Sequence, residues 1–482
     1  MKFDADVVVV GAGPAGAALS ARLAAAGVDT LLLDRANFPR EKVCGDFVGP
    51  KALTELEALG VPDAEIQATN LIRRASLAIN GQKLNEYHLR ALDGRANYGR
   101  VIPRIRLDAL ILEAARRAGA RVQEGVAATD FNSSGGAGEL AVRTGSAEGR
   151  LRARVVVGAD GSSSVIARSL RGARHPRADT SIAVRGYAEG PVGDLDRCDI
   201  CFSGDTFPGY YWVFPVGDGA ANVGIGTLAE TAPPVGKRLQ NLLHARMEAD
   251  PVLRDRLAGC RISGKVAGWP LATYSPSLRL AGDNVVLLGD AAGLINPMNG
   301  EGIQNALMSA RWAAPVILNC LRSNSLSRQG LVAYEQTVGR ELGADLTLAR
   351  RIVQTVANRA LAPLWLLSLR SSCRAARMSE YFDRVAGAVL SGAGNASDLL
   401  SPQILAQSAI SLAEEVASEG LGLLLGGSAA LRLSPFNPPE RMLRSIGLLA
   451  RRDPEPAIWL GRLLAATLRL GAEVAKSTNV RY

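Results

Sequence analysis

The sequence has few of the residues that build metal centres, nucleic-acid interfaces and membrane spans. Its three histidines, His88, His175 and His244, are far apart and accompany no cluster of acids or thiols, so we expect no catalytic metal. Aromatic residues make up 5% of the chain and basic residues are dispersed, which argues against nucleic-acid binding. Arg, Ser or Gly interrupts every long apolar stretch before 18 residues, so the sequence predicts no transmembrane helix.

Cysteines are also sparse, and their arrangement favours a reducing compartment. The six cysteines are scattered rather than arranged as a disulfide framework. Cys198 and Cys201 form a CxxC pattern, but Arg197–Phe202 looks extended, and no helix start follows that would lower a thiol pKa. The first dozen residues contain no secretory-signal pattern. We therefore expect a cytoplasmic protein without a redox CxxC motif.

The net charge of +9 is compatible with three explanations. The charge could attract the protein to an anionic membrane surface, attract an acidic substrate, or reflect composition alone. Arg350–Arg377 interleaves arginines with leucines and a tryptophan, a pattern typical either of core helices in a cap domain or of helices at a membrane interface. Peripheral membrane association is thus compatible with the sequence.

The most informative stretch is Val7–Asp34. The β-branched run Val7–Val10 predicts one buried strand, and it opens into Gly11-Ala12-Gly13-Pro14-Ala15-Gly16 and an Ala-rich helix through about Ala26. A second apolar run, Leu31–Leu33, ends in Asp34, where a dinucleotide fold needs a carboxylate for the ribose hydroxyls. The glycines allow a tight turn, close approach of a pyrophosphate and close helix packing. The spacing predicts a complete βαβ nucleotide-binding unit.

Two later segments repeat the pattern of a strand followed by a glycine turn. Arg154–Gly158 ends in Gly158-Ala159-Asp160-Gly161, and Asn284–Leu288 ends in Gly289-Asp290-Ala291-Ala292. Asp290 lies where a strand gives way to small residues, a good position to accept hydrogen bonds from a polyol chain. Between these segments, Thr180–Thr227 is rich in predicted strands. At its centre Tyr210, Trp212 and Phe214 would share one strand face, which either fills a core or lines a pocket.

Six ordered motifs resemble known flavoproteins. Three resemble the FAD-dependent hydroxylase superfamily that includes p-hydroxybenzoate hydroxylase: Gly11-x-Gly13-x-x-Gly16 with Asp34, Gly158-Ala159-Asp160-Gly161, and Gly289-Asp290-Ala291-Ala292. Three more resemble the geranylgeranyl reductase family within it: Pro39-x-x-Lys42-x-Cys44-Gly45, Tyr210-x-Trp212-x-Phe214-Pro215, and Pro297-x-Asn299-Gly300-Glu301-Gly302. The similarity covers residues 5–400, and six motifs in order are far more specific than one.

The resemblance implies a cofactor, a substrate cavity and residues for both. FAD would be held by Gly11, Gly13, Ala15, Gly16, Asp34, Arg35, Arg104, Asp160, Gly161, Gly289, Asp290, Gly300, Gly302 and Ile303. Near the flavin ring and the apolar substrate, the catalytic region would comprise Cys44, Gly45, Tyr210, Trp212 and Phe214. One departure is Asp46, which stands where the family commonly has a second glycine. Because only one Rossmann fingerprint is present, NAD(P)H or another reductant would bind transiently.

The expected architecture is an α/β fold in three parts. A discontinuous Rossmann-type FAD-binding domain would span residues 1–70, 100–180 and 275–335. An interleaved antiparallel-sheet substrate domain would span 71–99 and 181–274, and a helical C-terminal region would span 336–482.

For the activity, two enzyme classes lead. The first is an FAD-dependent reductase that adds hydrogen across a carbon–carbon double bond of an isoprenoid or related apolar substrate. The second is an FAD-dependent monooxygenase acting on a natural-product intermediate. A flavin halogenase is less favoured because its Trp-x-Trp-x-Ile-Pro pattern is absent, and a non-enzymatic flavin-binding module is least favoured.

Overall fold

The computed structural model describes residues 2–414, except 92–93, 95–96, 205, 218, 232–236, 359–361, 409 and 413. The predicted helical region 336–482 therefore lies outside the described residues from 415 onward. In the described part the strands are, in chain order, β1 (Ala5–Val10), β2 (Thr30–Asp34), β3 (Phe47–Val48), β4 (Asn70–Ile72), β5 (Arg74–Ile79), β6 (Gln82–His88), β7 (Gly99–Val101), β8 (Arg121–Glu124), β9 (Val126–Ser134), β10 (Ala137–Thr144), β11 (Ala147–Gly158), β12 (Thr180–Glu189), β13 (Arg197–Phe202), β14 (Tyr210–Gly217), β15 (Ala220–Leu228), β16 (Arg261–Ala272), β17 (Ala281–Gly282) and β18 (Val285–Leu287).

Helices occupy much of the remaining chain. Within the described residues they are α1 (Pro14–Ala25), α2 (Pro50–Ala58), α3 (Asp63–Gln67), α4 (Arg104–Arg117), α5 (Val165–Arg171), α6 (Lys237–Ala249), α7 (Pro251–Arg256), α8 (Gly289–Ala292), α9 (Ile303–Ser323), α10 (Arg328–Val356), α11 (Ala362–Met378) and α12 (Glu380–Ser391). Among these helices, none is both long and apolar enough to cross a bilayer.

The first sheet is the predicted nucleotide-binding sheet. Its main path runs β17-β18-β11-β1-β2-β8, and β1 pairs in parallel with both β2 and β11. Val7–Val10 is buried on both faces, as a parallel strand covered by helices requires. Pro14 at the start of α1 and the alanines after it favour the helix that follows the glycine turn. The α/β class predicted from the sequence is confirmed.

The second sheet is largely antiparallel, with the order β16-β12-β15-β14-β13-β5-β6. One side of it packs against α6 and α7 around a core that contains Tyr211, Val213 and Leu243. At the β5–β6 end, α11 and α12 cover the sheet, and Leu77, Tyr87, Leu366 and Phe382 pack together there. The helices after residue 335 thus close one side of this sheet.

The segment 71–99 was expected to belong wholly to this second sheet, and the structure differs. Only β5 and β6 join it, whereas β4 pairs with β7 in a separate three-stranded sheet that also contains β3. Gly99 on β7 packs so closely that an added Cβ atom would lie 2.3 Å from the Phe47 ring. The small sheet therefore joins the chain after the Cys44–Asp46 loop to the start of α4.

Candidate functional site

The three glycines of the turn after β1 differ in the atoms that surround them. Gly11 has a φ of 102°, and a Cβ atom there would lie 2.3 Å from the Ala159 carbonyl oxygen. A Cβ atom at Gly16 would lie 1.9 Å from the Gly11 carbonyl oxygen, so only glycine lets α1 pack on the turn. At Gly13 the nearest atom is Nη2 of Arg40, 3.6 Å away. The Gly13 backbone is therefore open to an anionic group, and Arg40, which the sequence analysis missed, supplies a positive charge beside it.

Asp34 lies at the end of β2, beside the glycine turn. Its Oδ2 accepts a hydrogen bond from the Ala12 N–H at 2.8 Å, and its Oδ1 accepts one from the Ala36 N–H at 2.8 Å. The carboxylate is buried, while Arg35 is exposed at the rim of the same cavity. The structure thus places the carboxylate at the end of β2 and beside the glycine turn, where the sequence predicts it.

Arg104 opens α4 and is anchored by an ion pair within its own helix. Its Nε lies 2.6 Å from Asp108 Oδ1, and its Nη2 lies 2.8 Å from Asp108 Oδ2. Arg40 also approaches Asp108, at 3.2 Å. The guanidinium of Arg104 hydrogen-bonds the Cys44 thiol. Arg104 therefore joins the nucleotide half of the cavity to the Cys44–Asp46 loop.

The second motif turn lies across the cavity from the first. The Asp160 carboxylate accepts hydrogen bonds from the Ser164 hydroxyl and from the Val165 N–H, which fixes the start of α5. Burial raises the pKa of Asp160, and these two hydrogen bonds oppose that shift. Gly161 follows in the left-handed region, with a φ of 80°. Both Asp160 and Gly161 line the cavity.

The third motif meets the first through small residues. A Cβ atom at Gly289 would lie 3.1 Å from the Cβ of Ala15, so the two turns are in contact. Asp290 Oδ2 accepts a hydrogen bond from the Ser162 hydroxyl at 3.2 Å. A Cβ atom at Gly302 would lie 3.2 Å from Asp290 Oδ1, just before α9 begins at Ile303. The three predicted cofactor motifs therefore converge on one cavity.

The Cys44–Asp46 loop passes directly beneath the second sheet. A Cβ atom at Gly45 would lie 3.2 Å from the Phe214 ring and 3.7 Å from Trp212 Nε1. Asp46 has a φ of 63°, in the left-handed region that glycine adopts most easily and that Asp tolerates better than most residues. This backbone conformation explains why a glycine suits the position, and it also shows how an aspartate fits there.

The side chain of Asp46 is held in a buried polar network. Its Oδ2 accepts hydrogen bonds from the Tyr187 hydroxyl at 2.6 Å and from Asn222 Nδ2 at 2.7 Å. Burial raises the pKa of Asp46 to about 6, although these two hydrogen bonds act in the opposite direction. Asn222 also donates to the Cys44 carbonyl at 2.7 Å and accepts from Trp212 Nε1 at 2.9 Å. The sequence analysis missed Tyr187 and Asn222, since neither belongs to a motif.

Side chains along β14 alternate between the two faces of the strand, as expected, so its aromatic rings fall into two sets. Tyr210, Trp212 and Phe214 face the cavity, whereas Tyr211 lies in the core on the opposite face. Ring centroids are 5.9 Å apart for Tyr210 and Trp212 and 6.1 Å apart for Trp212 and Phe214. Three further rings, contributed by Phe47, Phe202 and Phe207, extend the row at about the same spacing. We call these six rings the aromatic wall.

The aromatic wall and the three motifs border a single cavity of about 1440 Å³. A site for one small ligand typically occupies roughly 300–1,000 Å³, so this cavity has room for a dinucleotide and a second molecule. Its nucleotide end contains the glycine turn. Its opposite end is formed by apolar side chains of the C-terminal helical part, which the sequence analysis did not assign to the site: Val356, Trp365, Leu369, Phe382, Leu390 and Ile404.

A half-buried cation, Lys42, also lines the cavity. Lys42 places its Nζ 3.7 Å from the centre of the Trp269 ring. Burial lowers the pKa of Lys42 to about 8, and the Asp290 carboxylate opposes that shift. The positive charge therefore lies near the third motif, at the border between the polar and apolar parts of the cavity.

The cysteine pattern does not form a redox pair in the structure. Cys198 and Cys201 are both buried free thiols, and burial raises the pKa of each. Cys198 lines the cavity, whereas Cys201 lies in the core on the other face of β13. Within the described residues, no group of His, Cys, Asp and Glu is placed to hold a metal ion.

Comparison with protein families finds two matching domains, which overlap at β12. Residues 4–189 match an FAD binding domain, and residues 179–258 match a geranylgeranyl reductase catalytic domain. The second match covers all of β12 to β15, and β14 carries the central rings of the aromatic wall.

Similar proteins include two curated reductases and one solved structure. The menaquinone reductase of Mycobacterium tuberculosis is 33% identical, over 72% of this chain and 83% of its own. The digeranylgeranylglycerophospholipid reductase of Methanocella arvoryzae is 30% identical, over 74% of this chain and 88% of its own. The structure of a geranylgeranyl bacteriochlorophyll reductase-like protein from Thermoplasma acidophilum has a TM-score of 0.67 and 22% identity, covering 86% of this chain and 98% of the other.

The fold, the converging motifs and the matched FAD binding domain define an FAD-dependent oxidoreductase. Within that class, the protein belongs to the geranylgeranyl reductase family, as the resemblance of its sequence motifs predicted.

The buried carboxyl of Asp46 predicts a pH-dependent cost to stability. An unfolded aspartate has a pKa of about 3.9, whereas the folded-state pKa is raised to about 6. The native state therefore binds more protons between these values, and its stability falls as pH rises through that window. We expect Asp46→Asn to remove this cost, which amounts to roughly 2–3 kcal/mol above about pH 6.

The measurement is thermal unfolding of wild type and Asp46→Asn across pH 4–8. The gain of the variant over wild type should grow from pH 4 to pH 6 and then remain constant. Asp255→Asn, an exposed control on α7, should follow the wild-type curve at every pH. Parallel curves for wild type and Asp46→Asn would contradict the argument.

Proposed function

We propose that this protein reduces carbon–carbon double bonds of an isoprenoid chain or a related apolar substrate, with FAD as its cofactor. The observation that carries the proposal is the single cavity that connects the glycine turn of the nucleotide sheet to an apolar end. The two curated relatives support it, because both are named as reductases and one name contains the geranylgeranyl chain, an isoprenoid.

The proposed cofactor residues are those of the three motifs and their neighbours. Gly11, Gly13, Ala15, Gly16, Asp34 and Arg35 would hold the ADP half, and Arg104 would lie along the cofactor. Asp160, Gly161, Gly289, Asp290, Gly300, Gly302 and Ile303 would hold the remainder. The open backbone at Gly13 and the adjacent Arg40 guanidinium suit a pyrophosphate. These residues fit FAD, which when reduced supplies a hydride.

The remaining cavity residues would orient the substrate. Cys44 and Gly45 would form the floor, where the missing side chain of Gly45 lets the loop approach the aromatic wall. Tyr210, Trp212 and Phe214 would line the path of the chain with flat apolar faces. An isoprenoid has no hydrogen-bonding groups along its length, so shape and apolar burial would place its double bond. NAD(P)H or another reductant would supply electrons by transient binding.

The deciding experiment measures product mass. Purified enzyme, reduced with dithionite under anaerobic conditions, is mixed with geranylgeraniol, and products are analysed by mass spectrometry. A gain of two hydrogens per reduced bond supports the proposal. A product that forms only with oxygen and carries one added oxygen atom would instead identify the monooxygenase alternative.

Asp34→Ala should weaken FAD binding. The substitution removes the carboxylate that would accept hydrogen bonds from the adenosine ribose, which is worth about 1–3 kcal/mol, or roughly 5- to 150-fold in Kd. Fluorescence titration of flavin-free protein with FAD gives the affinity. Asp29→Ala, which removes an exposed carboxylate at the start of the same segment, is the matched control. An unchanged affinity in Asp34→Ala would count against the assigned role.

Trp212→Ala should lower turnover and leave FAD bound. The indole faces the cavity, so its loss should cost about 1.5–3 kcal/mol of substrate contact, or about tenfold or more in kcat/KM. Tyr211→Ala is the matched comparison, since its ring lies in the core on the opposite face and its loss should reduce stability instead. Normal turnover in Trp212→Ala, at full FAD content, would remove the aromatic wall from the substrate site.

We also propose peripheral association with anionic membranes. At the end of α11, Met378 is 74% exposed, and in the first turn of α12, Tyr381 is 40% exposed; both are close in sequence to the exposed Arg377. Apolar side chains beside a cation suit the interface of a bilayer. The net charge of +9 adds a long-range attraction that salt would screen.

Sedimentation with anionic liposomes should therefore decrease as ionic strength rises. Replacing Arg370, Arg374 and Arg377 together with glutamine should weaken the binding further, and Met378→Ser should weaken it at every salt concentration. Equal absence of sedimentation with anionic and neutral vesicles at low salt would contradict the association.

A further inference from the structure

Reduction of a double bond needs a proton as well as a hydride, so the cavity should contain a proton donor. Six carboxyl groups line it in the part of the chain that the structure describes: Asp34, Glu41, Asp46, Asp160, Asp290 and Glu301. These carboxyl groups differ in the hydrogen bonds that stabilise their charged form and in their contact with water. Both properties matter, because a donor must carry its proton near neutral pH.

Four of the six are held as acceptors or are exposed. Asp34 accepts two backbone N–H groups, Asp160 accepts a hydroxyl and a backbone N–H, and Asp290 accepts the Ser162 hydroxyl. Glu41 is exposed and pairs with Arg185 at 2.8 Å. Each of these four carboxyl groups is thus already held by a hydrogen bond or an ion pair within the protein.

Asp46 is the fifth group and is fully buried. Its Oδ2 accepts hydrogen bonds from Tyr187 and Asn222, and these bonds favour the charged form of the carboxyl group. The same bonds connect the Cys44–Asp46 loop to the second sheet. Asp46 therefore has a structural role that accounts for its position, and we treat it as the competing candidate.

Glu301 differs from the other five. No hydrogen bond and no ion pair of its carboxyl group is found within the described residues. The residue is half-buried and lines the cavity. Two glycines make room for it, because a Cβ atom at Gly392 would lie 2.4 Å from Glu301 Oε2 and one at Gly49 would lie 3.4 Å from Oε1. Gln304 Oε1, also 3.4 Å from that point at Gly49, is a buried acceptor that receives no hydrogen bond from the described residues.

The charges around Glu301 favour retention of its proton. Burial raises the pKa of Glu301 to about 7, Lys51 on α2 opposes this shift and Asp345 on α10 adds to it. The neighbouring ends of α9 and α12 contribute the uncharged groups of Gln304, Ser391 and Gly392. A substantial fraction of Glu301 is thus the carboxylic acid near neutral pH.

Glu301 also lies between the cofactor motif and the aromatic wall. The Tyr210 hydroxyl donates to the Asn299 carbonyl at 2.7 Å, which ties the loop to the wall two residues before Glu301. On the other side, Gly302 packs against Asp290. The loop therefore holds this carboxyl at the border of the two ligand regions.

We propose that Glu301 supplies the proton in the reduction, an inference that rests on the function proposed above. One alkene carbon receives the hydride that reduced FAD supplies, and the other takes the proton of the Glu301 carboxyl. The O–H bond of Glu301 breaks, and the electron pair of the π bond forms the new C–H bond. The resulting carboxylate regains a proton from water before the next turnover.

The test compares Glu301→Gln with Asp46→Asn and with the exposed control Glu341→Gln on α10. Each protein, loaded with FAD and reduced anaerobically with dithionite, is mixed with geranylgeraniol, and flavin reoxidation is followed by absorbance. We expect Glu301→Gln to lose about 100-fold or more in rate at unchanged FAD content. The wild-type rate should fall as pH rises through about 7, and the variant should lack this dependence.

A second readout needs no substrate. Infrared difference spectra of wild type across pH 5–9 should contain the stretching band of a protonated carboxyl that disappears near pH 7, and Glu301→Gln should lack that band. An unchanged band in Glu301→Gln, or its loss in Asp46→Asn instead, would overturn the inference. So would a wild-type reoxidation rate in Glu301→Gln. If wild type itself reduces no isoprenoid, the proposed function fails while the infrared result still stands.

Discussion

The site depends on the buried amide of Asn222, which connects the two sheets. It accepts the Trp212 indole N–H and donates to both the Cys44 carbonyl and the Asp46 carboxylate. The aromatic wall and the Cys44–Asp46 loop are thereby fixed relative to each other, although they come from different sheets. An unpaired buried polar group costs free energy of folding. Each of these partners is therefore needed to keep the others hydrogen-bonded.

The cavity has a polar end and an apolar end, which are lined by different kinds of group. Near the glycine turn, backbone N–H groups and the Arg40 guanidinium suit an anion, whereas six aromatic rings border the middle. Carboxyl and amine groups at the border have shifted pKa values because they are buried: Asp46 at about 6, Glu301 at about 7 and Lys42 at about 8. Such values near neutrality are typical of sites that transfer protons.

Local steric rules explain what could be predicted from the sequence. Gly16 is required by a contact with Gly11 within one turn, so a short motif is enough to identify it. The alternation of β14 likewise predicts that Tyr210, Trp212 and Phe214 share a face. The central rings therefore followed from a short stretch of sequence, and the nucleotide sheet followed from the spacing within Val7–Asp34.

The features that were missed depend on residues far apart in the chain. Asn222 and Asp46 are separated by 176 positions, and no local pattern marks their hydrogen bond. Leu71 and Ile72 were assigned to the second sheet because β4 has only three residues, too few for alternation to indicate a partner. The helices α11 and α12 are amphipathic in sequence. Only the tertiary structure decides whether their apolar faces meet a core, a membrane or a cavity.

The central claim is that an apolar chain and the cofactor occupy the same cavity. Photoaffinity labelling with a geranylgeranyl diazirine, followed by mass spectrometry of the peptides, tests it most directly. We predict labels on peptides that contain Tyr210–Phe214 and Trp365–Phe382, and competition by excess geranylgeraniol. Labels confined to exposed peptides outside the cavity, and insensitive to that competitor, would contradict the account.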